Sequence, residues 1–233
     1  MPIDFFALLL CRLRATIELW CNGNTADFGS VILSSNLGSS TKRGGESNIS
    51  LPFFLFFGHF SYICKKYFVM IFRKATTADI DTIVDIMAAA SARLGAAGID
   101  QWQRGYPNRA SVEKDVAEGV GMVLSEGDTI LVYGAVIFTG EPAYNDLTGG
   151  EWLTQGDYAC VHRLCAHEIF VGMGFSKHFM FAAEAMASER VKSIRIDTHP
   201  DNKIMQGLIS SLGYTYCGDV VIESRRLAYE KML

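Results

Sequence analysis

Bare backbone followed by a hydroxyl and a cation is the first chemistry this chain offers, in Val171-Gly172-Met173-Gly174-Phe175-Ser176-Lys177. The two glycines leave main-chain amides accessible, and the residues after them read as the start of a helix. Unpaired amides and a helix N-terminus both favour negative charge, so the segment is an expected anion site. GxG also makes ordinary tight turns; its place between a strand and a helix is what points to phosphate. Ser176 and Lys177 either solvate the first turn or add a hydroxyl and a cation to that phosphate. Asn202 opens the next helix, where its side chain suits capping and also a cofactor contact. The two units together imply a phosphate-bearing cofactor lying against strand ends, and hence an enzyme.

Other reactive groups are scattered around this pair of units. His162 falls mid-strand, where it is either a buried, satisfied imidazole or a catalytic base. His167, at the end of that strand, reads as a turn residue. Glu151 and Asp157, in and beside a long loop, are candidates for a base or for holding a substrate ammonium. Gln101, Trp102 and Tyr106 either pack the connection between the first two helices or form one wall of an acceptor pocket, suited to an apolar or aromatic amine. No G-K-[S/T] occurs, which excludes a P-loop.

These groups need elements to hold them. Tyr158–Ala166 reads as a strand, Gly172–Lys177 as the loop, and the following helix runs to about Arg190. Ser193–Thr198 is the next strand, and a helix with the stripe Met205, Leu208, Ile209 and Leu212 ends at Gly213, a suitable left-handed cap. Upstream, Met70–Lys74 is a short strand, and Thr76-Thr77-Ala78-Asp79 has the capping-box form. Ile80, Ile83, Val84, Met87 and Leu94 then recur at helical spacing, and Ser111–Glu118 is a second, shorter helix. Gly121–Leu124 and Thr129–Phe138 form a hairpin around Glu126-Gly127-Asp128. Glu141–Gly156 reads as a polar loop. Tyr214–Ile222 and Arg225–Glu230 are the final strands. Hairpins at both ends of a strand–helix series predict an α/β (α+β) protein with a mixed sheet.

Composition narrows the partners. The 233 residues are 49% hydrophobic and 20% charged, with a net charge of −4. No basic block exceeds two residues, so nothing in the charge distribution suggests nucleic acid. Six cysteines show no CxxC or Cys/His ligand spacing. They read as reduced thiols in a cytoplasmic protein, and no metal is expected. Leu51–Cys64 is an apolar run of 14 residues, shorter than a membrane span needs.

Residues 1–69 carry no persistent helical or strand period and are expected not to be a domain; residues 70–233 are the expected domain. Within the first part, Ile17–Ser40 resembles a tRNA gene read as protein. Ser34-Ser35-Asn36-Leu37 can be encoded with the GTTCGAATC of a T-arm. Glu18-Leu19 and Gly38-Ser39-Ser40 can be encoded by segments that pair as an acceptor stem. Met70, or a residue near it, is therefore the expected start of translation.

The order of elements over 70–233 resembles the GNAT superfamily of N-acetyltransferases. FRKATTADIDTIVDIM is similar to its first strand and helix, and IRIDTHPDNKIMQGLISSLGY to its fifth strand and the Asn-led helix after it. Gly98–Pro107, GIDQWQRGYP, is similar to a substrate-side segment of a bacterial subgroup. The family pattern R/Q-x-x-G-x-G/A falls on Val171 to Ser176, where Gly174 matches while Val171 and Ser176 depart from it. The resemblance implies a mostly antiparallel central sheet flanked by helices and acetyl-CoA as co-substrate. It implies cofactor contacts from Leu164, Cys165 and Ala166, from Val171 to Lys177, and from Asn202. It further implies transfer to a primary amine by direct attack in a ternary complex, and a homodimer. The family's usual tyrosine acid, seven residues after the Asn, falls here on Ile209, so the sequence names no acid. Two rivals stand beside this reading. One is a relative that binds acetyl-CoA or a protein partner without turnover. The other is a nicotinamide-dependent dehydrogenase, with GxG at Gly172–Gly174 and Asp197 as the ribose-binding acid.

Overall fold

The computed structural model describes residues 70–233. The stretch 1–69, with the tRNA-gene-like segment 17–40 and the apolar run 51–64, lies outside the described residues.

The chain enters as a strand, Met70–Lys74 (β1), and turns at the expected capping box. The Thr76 amide and hydroxyl both donate to Asp79 Oδ2, at 2.7 and 2.8 Å. Arg73 forks onto the same carboxylate at 2.8 and 2.9 Å. These bonds, that from Arg73 first, hold the Asp79 carboxyl well below the usual carboxylate range. The helix Ile80–Ala96 (α1) follows. The next helix, Arg109–Ala117 (α2), opens ahead of the expected Ser111 because Asn108 caps it: Asn108 Oδ1 accepts from the Ser111 amide, and Ser111 Oγ accepts from the Asn108 amide.

Six strands and two helices complete the domain: Gly121–Glu126 (β2), Thr129–Ile137 (β3), Ala159–Ala166 (β4), Phe175–Ser188 (α3), Ser193–Thr198 (β5), Lys203–Ser211 (α4), Thr215–Ile222 (β6) and Ser224–Met232 (β7). They form one mixed, mostly antiparallel seven-stranded sheet in the order β1-β2-β3-β4-β5-β7-β6, with β4 and β5 its single parallel pair. The doubly wound parallel sheet of the dehydrogenase rival is therefore absent from the described residues.

Alternation along the strands feeds two cores. Leu124, Val132, Val136, Val161 and Ile194 face α3 and α4, meeting Phe179, Met180, Ala183 and Ile209. Their neighbours Val123 and Tyr133, with Ile130 beyond the register shift at Leu124/Ser125, face α1 and α2, meeting Ile83, Ile86, Met87 and Val112. The segment expected to be a polar loop, Glu141–Gly156, carries a third core. Tyr144 is 1% exposed and packs with Cys160, Val220 and Ala228, and its carbonyl accepts from Trp152 Nε1 at 2.9 Å. Aromatic spacing without helix or strand period concealed this core. Among the described residues, no helix is long and apolar enough to cross a membrane.

Two irregularities in the sheet create the site. Pairing of β4 with β5 ends at Val161 opposite Ile196, although both strands continue. Between Tyr133–Cys165 and Ala135–His162 the β3–β4 register shifts, so that Gly134 alone faces Arg163 and Leu164. Arg163 sits there at φ 58°, a bulge that turns the strand. Gly134 lets α3 press against this bulge: a Cβ there would stand 2.8 Å from Phe179 Cζ. Gly134→Ala is expected to cost about 1–3 kcal/mol by overpacking, read as a lower urea midpoint; an unchanged midpoint would contradict this packing.

Candidate active site

Beyond Val161, no main-chain group of β5 is in register with His162–Ala166. The His167 amide still bonds β3, at 2.9 Å to the Leu131 carbonyl. The Ala166 carbonyl instead accepts from Arg93 Nη2 at 3.2 Å. This stretch of β4 thus has a partner strand on one side only, and its other edge can receive an extended chain.

The glycine loop comes next. His167 caps a single turn, its Nδ1 accepting from the Ile169 amide at 3.3 Å, which bears out the turn role expected for it. Gly172 and Gly174 follow at φ 81° and 85°, a left-handed conformation that glycine adopts without penalty. A Cβ on either would meet nothing within 4 Å, so the space over the loop is open. Among the described residues, the amides of Gly172, Gly174 and Ser176 donate to no protein group. Phe170 packs edge-on against Phe175, the first residue of α3, and ties the loop down. Val171 is 45% exposed. The Lys177 ammonium lies 5.7 Å over the Phe181 ring.

Beside the open strand edge lies a cavity of about 350 Å³. Gln101, Trp102 and Tyr106 line it together with His162, Arg163 and Leu164. So do Glu141, Asp197, Met205, Glu223 and Arg226. Among the described residues, the three non-glycine residues held at positive φ, Trp102, Arg163 and Glu223, all belong to this lining. Backbone strain of this kind persists where the surrounding structure enforces it, and it concentrates at functional sites. Val171–Lys177, Cys165, Ala166 and Asn202 are not part of the lining. Asn202 does reach it indirectly: Oδ1 caps α4 by accepting from the Met205 amide, and Nδ2 donates to Gln101 Oε1, both at 3.1 Å. Glu151 and Asp157, the carboxylates expected from the loop, are exposed and outside the cavity; Glu141 occupies it in their place.

Arg163 fixes one wall. Its guanidinium forks onto Asp115 of α2 at 2.7 and 2.6 Å and also donates to the Tyr106 hydroxyl, while Tyr133 donates its hydroxyl to Asp115. Burial opposes the Arg163 charge, but Tyr106 and Asp115 outweigh it and hold its pKa above the ordinary value. Burial likewise pushes the Tyr106 hydroxyl up against the pull of Arg163, so Tyr106 keeps its proton at neutral pH.

His162 stands between two acids. Nε2 is 3.4 Å from Glu141 Oε2 and Nδ1 is 3.8 Å from Asp197 Oδ1. Neither contact is aligned as a hydrogen bond, and Nε2 is buried without a partner. Burial lowers the His162 pKa more than Asp197 and Glu141 raise it, leaving the imidazole neutral at neutral pH. Tyr144 donates to Asp197 Oδ1 at 2.8 Å and fixes that carboxylate. The Cys160 and Cys165 thiols, pushed up to about 12 by burial, are inert. Removing Asp115 strands the Arg163 charge in the interior, so Asp115→Ala is expected to cost about 3–5 kcal/mol in urea unfolding. A loss no larger than that of an exposed ion pair, Arg109→Ala for instance, would contradict the buried-pair account.

No protein-family model matches the chain, and no curated protein matches it. Solved structures do. An acetyltransferase of the GNAT family from Streptococcus agalactiae 2603 is 34% identical, with 72% of this chain and 98% of that one covered and a TM-score of 0.67. A GNAT-family acetyltransferase from Listeria monocytogenes 4b F2365 shares the fold at 21% identity, with 70% and 95% covered and a TM-score of 0.58. So does yncA from Salmonella typhimurium, solved with its cofactor acetyl-CoA, at 16% identity, with 70% and 94% covered and a TM-score of 0.50. The open β4 edge, the glycine loop before α3 and the first of these likenesses lead to one assignment: the chain belongs to the GNAT family of acetyltransferases.

Proposed function

We propose that this protein is an N-acetyltransferase that moves an acetyl group from acetyl-CoA to a primary amine by direct attack in a ternary complex. The observation that carries the reading is the end of β4–β5 pairing at Val161, directly beside a cavity holding Glu141 and His162. The residues present fit acetyl-CoA. The unpaired edge of β4 can pair with an extended pantetheine arm as with another strand. The amides of Gly172, Gly174 and Ser176, with open space above them, suit a diphosphate. Val171 offers no polar side chain, so the backbone carries that contact. Main-chain N–H groups of β4 are the donors for a carbonyl oxygen that gains charge.

The amine must be uncharged to attack. Glu141 takes its proton, and His162 behind it shares that proton through Nε2, with Asp197 stabilising the imidazolium from the other side. The new C–N bond forms as the C–S bond breaks; the departing thiolate receives a proton from Tyr106, the one hydroxyl in the cavity lining among the described residues, and the second proton shed by the acetylated nitrogen restores the Tyr106 hydroxyl. Ile209, at the family's usual acid position, is fully buried and inert. The reduced, buried thiols of Cys160, Cys165 and Cys217 support a cytoplasmic setting.

Incubating the full chain with acetyl-CoA and a panel of amines, and following free thiol, tests the reading. Thiol release that depends on one class of amine is expected, and Glu141→Gln should lower kcat/KM about 100-fold or more while acetyl-CoA still binds. Turnover unaffected by the substitution would remove Glu141 from the mechanism. Binding of acetyl-CoA with no amine acetylated would favour a non-catalytic relative, and no binding would overturn the reading.

A further inference from the structure

Arg163, Arg195 and Arg226 all carry guanidinium groups into the interior, with side chains 10%, 5% and 4% exposed. The fold satisfies two of them. Arg163 has Asp115 and Tyr106. Arg195 donates to Glu230 at 3.1 Å and to the Thr154 carbonyl at 2.8 Å, with the rings of Trp152 and Tyr158 stacked at 4.0 and 3.7 Å. Arg226 lies on the inward face of β7 and in the cavity lining, and its guanidinium makes no hydrogen bond among the described residues. Its nearest counterion is Asp197, 3.8 Å from Nε and already engaged by Tyr144. Nη1 is buried with no partner at all. On the same face of β7, Ser224 Oγ is likewise buried without a partner. A guanidinium left unbonded in the interior costs free energy that a bound anion recovers.

We infer that Arg226 receives a carboxylate of the acceptor, and that the acceptor is a free amino acid acetylated on its amine. The rest of the cavity agrees. Glu141, Asp197 and Glu223 offer negative charge to the ammonium end, and Trp102 lines the space for a side chain. The cavity, about 350 Å³, is of the size that encloses one small molecule. Burial draws the Arg226 pKa down, and Asp197 and Glu223 only partly restore it, so a ligand carboxylate would meet a guanidinium whose charge the protein has not neutralised. The Glu223 backbone at φ 59° turns β6 into β7 and so places Arg226 at the cavity. The amine half of this inference rests on the acetyltransfer reading above; the carboxylate site does not.

Calorimetric titration of the full chain, with coenzyme A present, compares the protein L-amino acids with the C-terminal amide of each. At least one amino acid should bind, and its amide should bind about tenfold or more weakly. Arg226→Gln should abolish that difference, and Arg226→Lys, which keeps a positive charge, should retain part of it. An amide that binds as well as its acid overturns the inference, as does the absence of binding by any amino acid. A preference unchanged in Arg226→Gln assigns the carboxylate elsewhere and overturns it too. Binding that behaves as expected without thiol release on adding acetyl-CoA would overturn acetyl transfer alone and leave the carboxylate site standing.

Discussion

Arg163 leaves the regular path of β4 at φ 58° and drives its guanidinium into the interior, where a fully bonded counterion offsets the cost of burying the charge. Asp115 provides that counterion from α2 through a two-bond fork, and Tyr106 and Tyr133 complete the set. The pair fastens the bulge of β4 to the helical layer. With the bulge fixed, β4 loses register with β5 past Val161, and an unpaired strand edge faces the cavity. The same four residues carry the wall that holds Tyr106. The proposed cofactor edge and the proposed acceptor wall therefore share one ion pair.

Polarity inside the cavity is divided in a way that suits transfer to an amine. His162 is kept neutral by burial, so it can accept a proton, and the acids on either side lower the cost of its becoming charged. Tyr106 is kept protonated by the same burial, so it can give one. On the proposed mechanism, a base and an acid whose protonation is separated by environment, lining one cavity, are the two halves of a proton circuit. Arg226 belongs to neither half, which is why its unmet donors read as recognition of the acceptor.

Much of the fold was legible because it rests on local or periodic signals. The Thr76–Asp79 box, the Asn202 cap, the Gly213 stop and the stripes of α1 and α4 each need only a few neighbouring residues. The glycine loop was legible for the same reason. The cavity was legible only in part. Gln101, Trp102, Tyr106, His162 and Leu164 were named from the sequence and meet in one lining. Glu141, Arg163 and Arg226 carry no such signal, and Asp197 reads only as a ribose ligand. Their roles depend on partners far along the chain; Arg163 and Asp115, for example, stand 48 residues apart. Charge carries no period that a single sequence displays, and a bulge leaves no residue signature when the left-handed position is an arginine. Tyr144 was hidden in a different way, inside a stretch whose glycines and carboxylates resemble an ordinary surface loop.

Amide hydrogen exchange of the full chain, with and without coenzyme A, addresses the divergence of β4 from β5 most directly. The account predicts slowed exchange confined to the unpaired part of β4, residues 162–166, and to the loop at 172–176, with little change in β2 or β6. Protection elsewhere in the sheet, or none at these two segments at saturating coenzyme A, would contradict it.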